Sequence, residues 1–338
     1  MTRNTTILVA GLGSIGQRHS RLISERSDVT LLVCDPIEAH HRQTDEKVHR
    51  PVDGRFNDYT QALAAKPDIV MICTPNSLHV PMGLQAIEAG CDVLVEKPIS
   101  DSFEQANRLV TAADQAGRLL HVGYMLRFEL GLRQMKQIVA SGELGEIAGG
   151  RAMIGTYITL LNGKTPERQN SPYAIVVDYT HELDFIRWIL GDVKEVMSMG
   201  AVRGNLDLKG KPNIIQTVMT LESGALVQVH MDFIQYPQRR LIEIYGDKGT
   251  LAYDAQTGDL RHYRFGAEHK WETLPLPLDF AQRWDNLYRD QLDALIRAHH
   301  DRSAPAVSGQ DGIEALRVAH AIIRAAETGT KVKVADIR

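Results

Sequence analysis

Thr5-Thr6-Ile7-Leu8-Val9-Ala10-Gly11-Leu12-Gly13-Ser14-Ile15-Gly16 decides the fold of this chain. Apolar and β-branched residues run directly into G-x-G-x-x-G. An amphipathic segment follows, with Ile15, His19, Leu22 and Ile23 on one face. The pattern reads as strand, tight turn and helix, and it predicts a dinucleotide site. Gly11 allows the sharp turn, Gly13 the close approach of a pyrophosphate, and Gly16 the packing of helix on strand. The helix start, with Ser14 and Ile15, offers backbone N–H groups and positive dipole to the phosphates. A second strand, Val29 to Cys34, ends at Asp35, 24 residues after Gly11. An acid there binds adenosine ribose hydroxyls and repels a 2′-phosphate, which argues for NAD. Arg42 is near enough in sequence to leave NADP open.

Outward from this stretch, strands and helices alternate. Tyr59–Ala65 reads as a short helix. Asp68-Ile69-Val70-Met71-Ile72-Cys73 is an unbroken apolar run, the mark of a parallel strand buried on both faces. A helix over 81–89 and a strand over 92–95 follow. The next helix, Phe103–Ala116, has a capping-box spacing from Asp101 to Glu104 and ends at Gly117. Leu119–Val122 is another strand. Such alternation predicts a doubly wound parallel sheet over residues 1–126.

After Phe128 the pattern changes. A helix over 130–141 leads to a long strand near 146–158. The polar segment 161–172 reads as a loop, and a helix over about 177–190 follows it. Strands near 193–202, 213–221, 225–233, 240–245, 250–253 and 260–263 are separated by short turns, which predicts an antiparallel meander. Two late helices complete a second α/β domain, residues 127–338, with a large, mainly antiparallel open sheet.

The chain has 338 residues, 43% hydrophobic and 24% charged, with a net charge of −4. That profile fits a soluble globular protein, and no basic block invites nucleic acid or a membrane surface. Cys34, Cys73 and Cys91 lie in or beside apolar runs without C-x-x-C spacing, so they read as buried thiols. No signal core and no stretch of about 18 apolar residues is visible, so a cytoplasmic location is expected. The doublets His40-His41 and His299-His300 read as surface features.

Three further stretches carry chemistry. Thr74-Pro75-Asn76-Ser77-Leu78-His79 lies at the carboxyl end of a central strand, the edge at which parallel sheets bind ligands. Glu96-Lys97-Pro98 is a second strand end, from which Lys97 would point into the crevice near the nicotinamide; a surface lysine before a turn proline is the alternative. On the helix over about 177–190, Asp178, His181 and Asp184 lie three residues apart and share one face. A histidine beside carboxylates can take a proton from a hydroxyl. No third or fourth ligand at suitable spacing accompanies the Asp-x-x-His pair, so no metal is expected. Tyr124 and Arg127 follow a strand end at the crevice and are the next candidates for substrate contact, ahead of Asn162 and Arg168.

Together these stretches resemble the Gfo/Idh/MocA oxidoreductases, the family of glucose–fructose oxidoreductase and inositol dehydrogenase. The likeness adds Val122-Gly123-Tyr124 with Arg127-Phe128, and Arg240-Leu241-Ile242-Glu243-Ile244-Tyr245-Gly246-Asp247-Lys248-Gly249-Thr250, and runs nearly the whole chain. It implies a Rossmann domain plus an α/β domain whose open sheet often forms a subunit interface, hence a homodimer or homotetramer. It implies that Lys97 contacts substrate and nicotinamide, often before a cis proline, and that Asp178 and His181 handle a substrate hydroxyl. Cofactor contacts are expected from Gly11, Gly13, Ser14, Ile15, Gly16, Asp35, Thr74, Pro75, Asn76, His79, Glu96 and Lys97. Substrate contacts are expected from Lys97, Tyr124, Arg127, Asp178 and His181. Two departures stand out: the acid lies three residues before His181 rather than four, and Met125 replaces an Asn usual after Val-Gly-Tyr.

The expected activity is NAD(H)-dependent hydride transfer at a ring hydroxyl of a sugar, sugar derivative or cyclitol, with Lys97 and His181 both open as the base. The competing expectation is a regulator of the same fold that senses NAD(P) or a sugar without catalysis.

Overall fold

The computed structural model describes residues 4–157, 172–204, 212–266 and 270–337. The candidates Asn162 and Arg168, and the loop expected over 161–172 apart from Pro172, lie outside them. The chain forms two compact units. One is Met1–Met125 with Phe280–Ile313; the other is Leu126–Asp279 with Glu314–Arg338.

The first unit holds β1 (Thr5–Ala10), α1 (Ser14–Ile23), β2 (Val29–Cys34), α2 (Glu38–Asp45), β3 (Gly54–Phe56), α3 (Tyr59–Ala64), β4 (Ile69–Ile72), α4 (Asn76–Glu88), β5 (Asp92–Val95), α5 (Phe103–Ala116) and β6 (Leu120–Val122). Its strands lie in the order β3-β2-β1-β4-β5-β6, every pair parallel. The order reverses between β1 and β4. The loops leaving their carboxyl ends therefore diverge and open a crevice, the usual ligand position of this architecture. β4 and β5 are buried throughout, as an apolar run covered on both faces requires. Helix α5 is capped by Ser102, whose side chain accepts from the Gln105 amide, rather than by Asp101. The observed cap has the serine oxygen three residues before its amide, the standard N-cap geometry.

The second unit begins with a short 3₁₀ turn, Met125–Phe128, that crosses from the first. It continues through α6 (Leu130–Ser141), β7 (Ile147–Gly155), α7 (Ala174–Asp178), α8 (Thr180–Leu190), β8 (Val193–Ala201), β9 (Ile214–Leu221), β10 (Leu226–Asp232), β11 (Arg239–Gly246), β12 (Gly249–Asp254), β13 (Asp259–Arg264) and β14 (Glu272–Leu274). The sheet order is β14-β13-β12-β11-β7-β10-β9-β8-β15, where β15 is Val332–Lys333 near the end of the chain. The expected meander is present in two pieces. Strand β7 enters between them, antiparallel to β11 and parallel to β10. The sheet is thus mixed at its centre. Its strands alternate buried and exposed positions, so one face is covered and one is open.

The late helices are α9 (Arg283–Asp301) and α10 (Gly309–Thr328). The sequence reading placed residues 280–313 with the second domain, but they pack in the first unit. Leu292, Leu295 and Ile296 of α9 share one apolar cluster with Ile7, Val9, Leu31, Ile69 and Met71. The Arg21 guanidinium donates to Asp285 at 2.6 Å on the same helix. An apolar stripe on α9 matches the open flank of the parallel sheet, and burial there outweighs sequence proximity. No helix among the described residues is long and apolar enough to cross a membrane.

Candidate functional site

The first unit builds a candidate site at the carboxyl edge of its sheet. Gly11 has φ of +91°, and a Cβ there would meet the Cys73 carbonyl at 2.8 Å. A Cβ on Gly16 would lie 1.8 Å from the Gly11 oxygen. Gly13 is the N-cap of α1, and a Cβ there would meet nothing within 4 Å. No side chain caps this helix and its first turn carries no acid. The amide groups beginning with the exposed Ser14 and with Ile15 therefore face an open space with unspent hydrogen-bonding capacity and positive dipole. This cradle fits a pyrophosphate.

Asp35, 5% exposed, closes the glycine turn from the end of β2. It accepts hydrogen bonds from the Leu12 amide at 2.7 Å and the Ile37 amide at 2.8 Å. Its Oδ2 also lies 3.0 Å from His40 Nδ1. His41 is buried with Nε2 2.8 Å from the Asp35 carbonyl. The doublet expected on the surface is thus part of the nucleotide corner. The reason is local: α2 starts three residues past Asp35 and turns both rings back onto it. Gln17, which sequence reasoning missed, donates to the Leu12 carbonyl at 2.9 Å and accepts from Lys47.

Two more strand ends complete this edge. Pro75 precedes α4 as its N-cap, with Asn76 in its first turn and Thr74 at the end of the β4 loop. His79 is buried, with Nδ1 2.8 Å from the Pro98 carbonyl and Nε2 3.0 Å from the Thr74 carbonyl. Its imidazole therefore ties the turn after β4 to the turn after β5. The Lys97–Pro98 peptide is cis. Glu96 Oε1 lies 2.9 Å from Nε2 of the buried His19, and Oε2 accepts from the Lys97 amide at 3.3 Å. The His19 ring stands edge-on to Tyr288 at 5.2 Å, and Arg18 lies over that ring at 5.1 Å. Burial, and then the Glu96 charge, push the Cys73 thiol well above its ordinary range, so it stays protonated. Lys97 is half-buried, whereas Tyr124 is fully buried and belongs to the core.

In the second unit the segment read as one helix is two. Tyr179, at φ −101° and ψ 27°, separates α7 from α8. Asp178 ends the first and His181 lies in the first turn of the second. Tyr179 itself is buried, tilted against Phe233 at 5.4 Å. The break separates Asp178 from the continuous face expected with Asp184. Asp184 is buried and receives the Arg127 guanidinium in a two-pronged contact, at 2.9 and 2.6 Å. The Arg127 side chain also lies 5.8 Å from the Trp188 ring. Arg127, expected at the substrate, is thus a buried anchor for α8. A neighbouring pair, Arg240 and Glu182 at 2.8 Å, joins the same helix to β11. Such pairs need both members, because one left alone is a buried uncompensated charge. They fix α8, and hence His181, against the sheet. Among the described residues no group of three or more His, Cys, Asp or Glu is placed to hold a metal ion.

Comparison with known proteins gives two matches that together span most of the chain. Residues 5–124 match the model of an oxidoreductase family with an NAD-binding Rossmann fold, and residues 136–334 match that family's C-terminal alpha/beta domain. The 1,5-anhydro-D-fructose reductase of Ensifer adhaerens is 30% identical, over 83% of this chain and 84% of its own length. The inositol 2-dehydrogenase of Ralstonia nicotianae is 27% identical, over 95% and 94%. A scyllo-inositol dehydrogenase from Lactobacillus casei, solved with NAD(H) and scyllo-inositol, superposes with a TM-score of 0.84 at 22% identity. That match covers 98% of this chain and 100% of that one.

Proposed function

The chain belongs to the Gfo/Idh/MocA oxidoreductase family and carries its NAD-binding Rossmann fold, and we propose that it oxidises a ring hydroxyl of a sugar, sugar derivative or cyclitol. One observation carries this reading. Asp178 and His181 flank a break between two helices, and α8 is locked by two buried ion pairs. The break ends one helix at Asp178 and starts the next at Thr180, so both side chains sit at helix ends. The polyol and cyclitol chemistry of the named relatives supports the substrate class.

NAD supplies the hydride acceptor when bound. His181 takes the hydroxyl proton, or shares that task with Lys97. Asp178 orients the hydroxyl or the His181 ring. Lys97 donates a hydrogen bond to the reacting oxygen and offsets its developing negative charge. Glu96 and His79 act through Lys97 by holding the turn that carries it. Arg127 and Asp184 act through His181 in the same way. Residues 1–126 serve the nucleotide and 127–338 the substrate in this reading, with α9 returning to support the first.

The open face of the nine-stranded sheet is the proposed subunit interface of a homodimer or homotetramer. Met197 and Val218 are direct cross-strand neighbours there, and Met199 and Leu226 extend the same face. Met199 is 75% exposed, and a large apolar patch of this kind marks an interaction surface.

Replacing His181 by Ala tests the assignment. Turnover falls by a factor of about 10² to 10⁴ while NADH binding is kept. Unchanged turnover in that variant would remove His181 from the reaction.

A further inference from the structure

We propose that His40, held on Asp35, reads the 2′-hydroxyl of the nucleotide's adenosine ribose. The inference rests on the NAD-binding fold and is independent of the substrate. An acid at the end of β2 ordinarily gives its carboxylate oxygens to the ribose. Here the carboxylate is largely spent. Oδ2 takes the Leu12 amide and His40 Nδ1, and Oδ1 takes the Ile37 amide. An ionised carboxyl has about four acceptor positions, so about one remains. Asp35 is also buried, whereas the His40 side chain beside it is 32% exposed.

The imidazole is set for the task its neighbour cannot complete. In the neutral imidazole, Asp35 accepts from Nδ1–H, which leaves Nε2 with a lone pair. Among the described residues nothing holds that nitrogen. The backbone of His40 is fixed on both sides. Its amide donates to the Ile37 carbonyl at 2.9 Å, and its carbonyl accepts from the Thr44 hydroxyl at 2.8 Å. Oδ2 meets both the glycine turn and His40, so the ring keeps a set position relative to the phosphate cradle. Nε2 then accepts from the ribose 2′-hydroxyl. A 2′-phosphate finds no donor in this pair and meets the Asp35 charge, so the same geometry selects against NADP.

The test compares NADH with 2′-deoxy-NADH by fluorescence titration, in the wild-type protein and in His40→Ala. The wild type binds NADH about five- to tenfold more tightly than the deoxy compound, the effect of one hydrogen bond. In His40→Ala the preference collapses to about twofold or less, in a protein that still folds and binds NADH. His40→Asn keeps an N–H for Asp35 but has no acceptor at the Nε2 position, and it shows the same collapse. A preference that survives in both variants overturns the proposal and returns the hydroxyl to Asp35.

Discussion

The parallel sheet carries a carboxylate with a histidine at each of its two edges, and the two are built for opposite ends. At the ligand edge Asp35 holds His40, whose ring stays partly open. At the other edge, Asp92 at the start of β5 is fully buried. It accepts from Arg302 at 2.6 Å and from the Leu119 amide at 2.9 Å, with His299 Nδ1 at 2.7 Å. His300 beside it bonds the Thr5 hydroxyl at 3.0 Å. The same residue types therefore make a ligand-facing corner in one place and a structural clamp on a fully buried carboxylate in the other. What differs is the strand end. Loops leaving the carboxyl ends diverge and stay accessible, whereas the start of β5 is covered by the returning helix α9.

The largest test of this contrast is Asp92→Ala. It removes three hydrogen bonds to a buried carboxylate, each worth about 1 kcal/mol, and so costs about 3 kcal/mol of stability. NADH affinity of the folded variant stays at the wild-type value. Denaturant unfolding with a parallel nucleotide titration checks both. A comparable loss of affinity would mean that the two edges are not separate in function.

Acid reaches the Asp92 edge first. Burial pushes His121, the neighbour of Asp92 on β6, down to about 4 from 6.5. The folded protein keeps this ring neutral while the unfolded chain takes up a proton. Its contribution is present above pH 6.5 and is lost as pH falls toward 4, on the order of 3 kcal/mol. Burial alone would raise Asp92, but its hydrogen bonds from Arg302, Leu119 and His299 and the Arg302 charge hold it below the usual range. Its contribution is present above its unfolded value and is lost only at still lower pH. Denaturation curves at pH 7 and pH 4.5 should therefore differ strongly in the wild type and much less in His121→Leu. Equal slopes would show that another group governs acid unfolding.

A smaller effect is expected at His299. Removing it by His299→Ala leaves Asp92 with Arg302 and the Leu119 amide, so the cost is about 1–2 kcal/mol. A melting curve measures it, and no change would mean that Arg302 and the Leu119 amide suffice.

Much of the fold was legible because its signals are local. The glycine turn, the apolar run of β4 and the stripe of α5 each sit within a dozen residues. Pairings distant in sequence were less so. Asp92 meets Arg302 and His299 across more than 200 residues, and Arg127 meets Asp184 across 57, so neither partner is visible from its own neighbourhood. His40 and His41 were within reach: a doublet five residues past the β2 acid, on the next helix, can fold back on it. The break at Tyr179 left no sequence signal, because neither Gly nor Pro stands at Asp178-Tyr179-Thr180 to mark it. The assignment of α9 to the first unit followed from its apolar stripe meeting the sheet, which no sequence spacing records.

NAD⁺ reduction across a panel of aldoses, sugar acids, amino sugars, nucleotide sugars and cyclitols bears most directly on the whole account. It predicts turnover with a ring polyol that disappears in Lys97→Ala while NADH binding persists. No turnover anywhere in the panel by a protein that still binds NADH would contradict the proposed dehydrogenase activity on such hydroxyls and favour a sensing role.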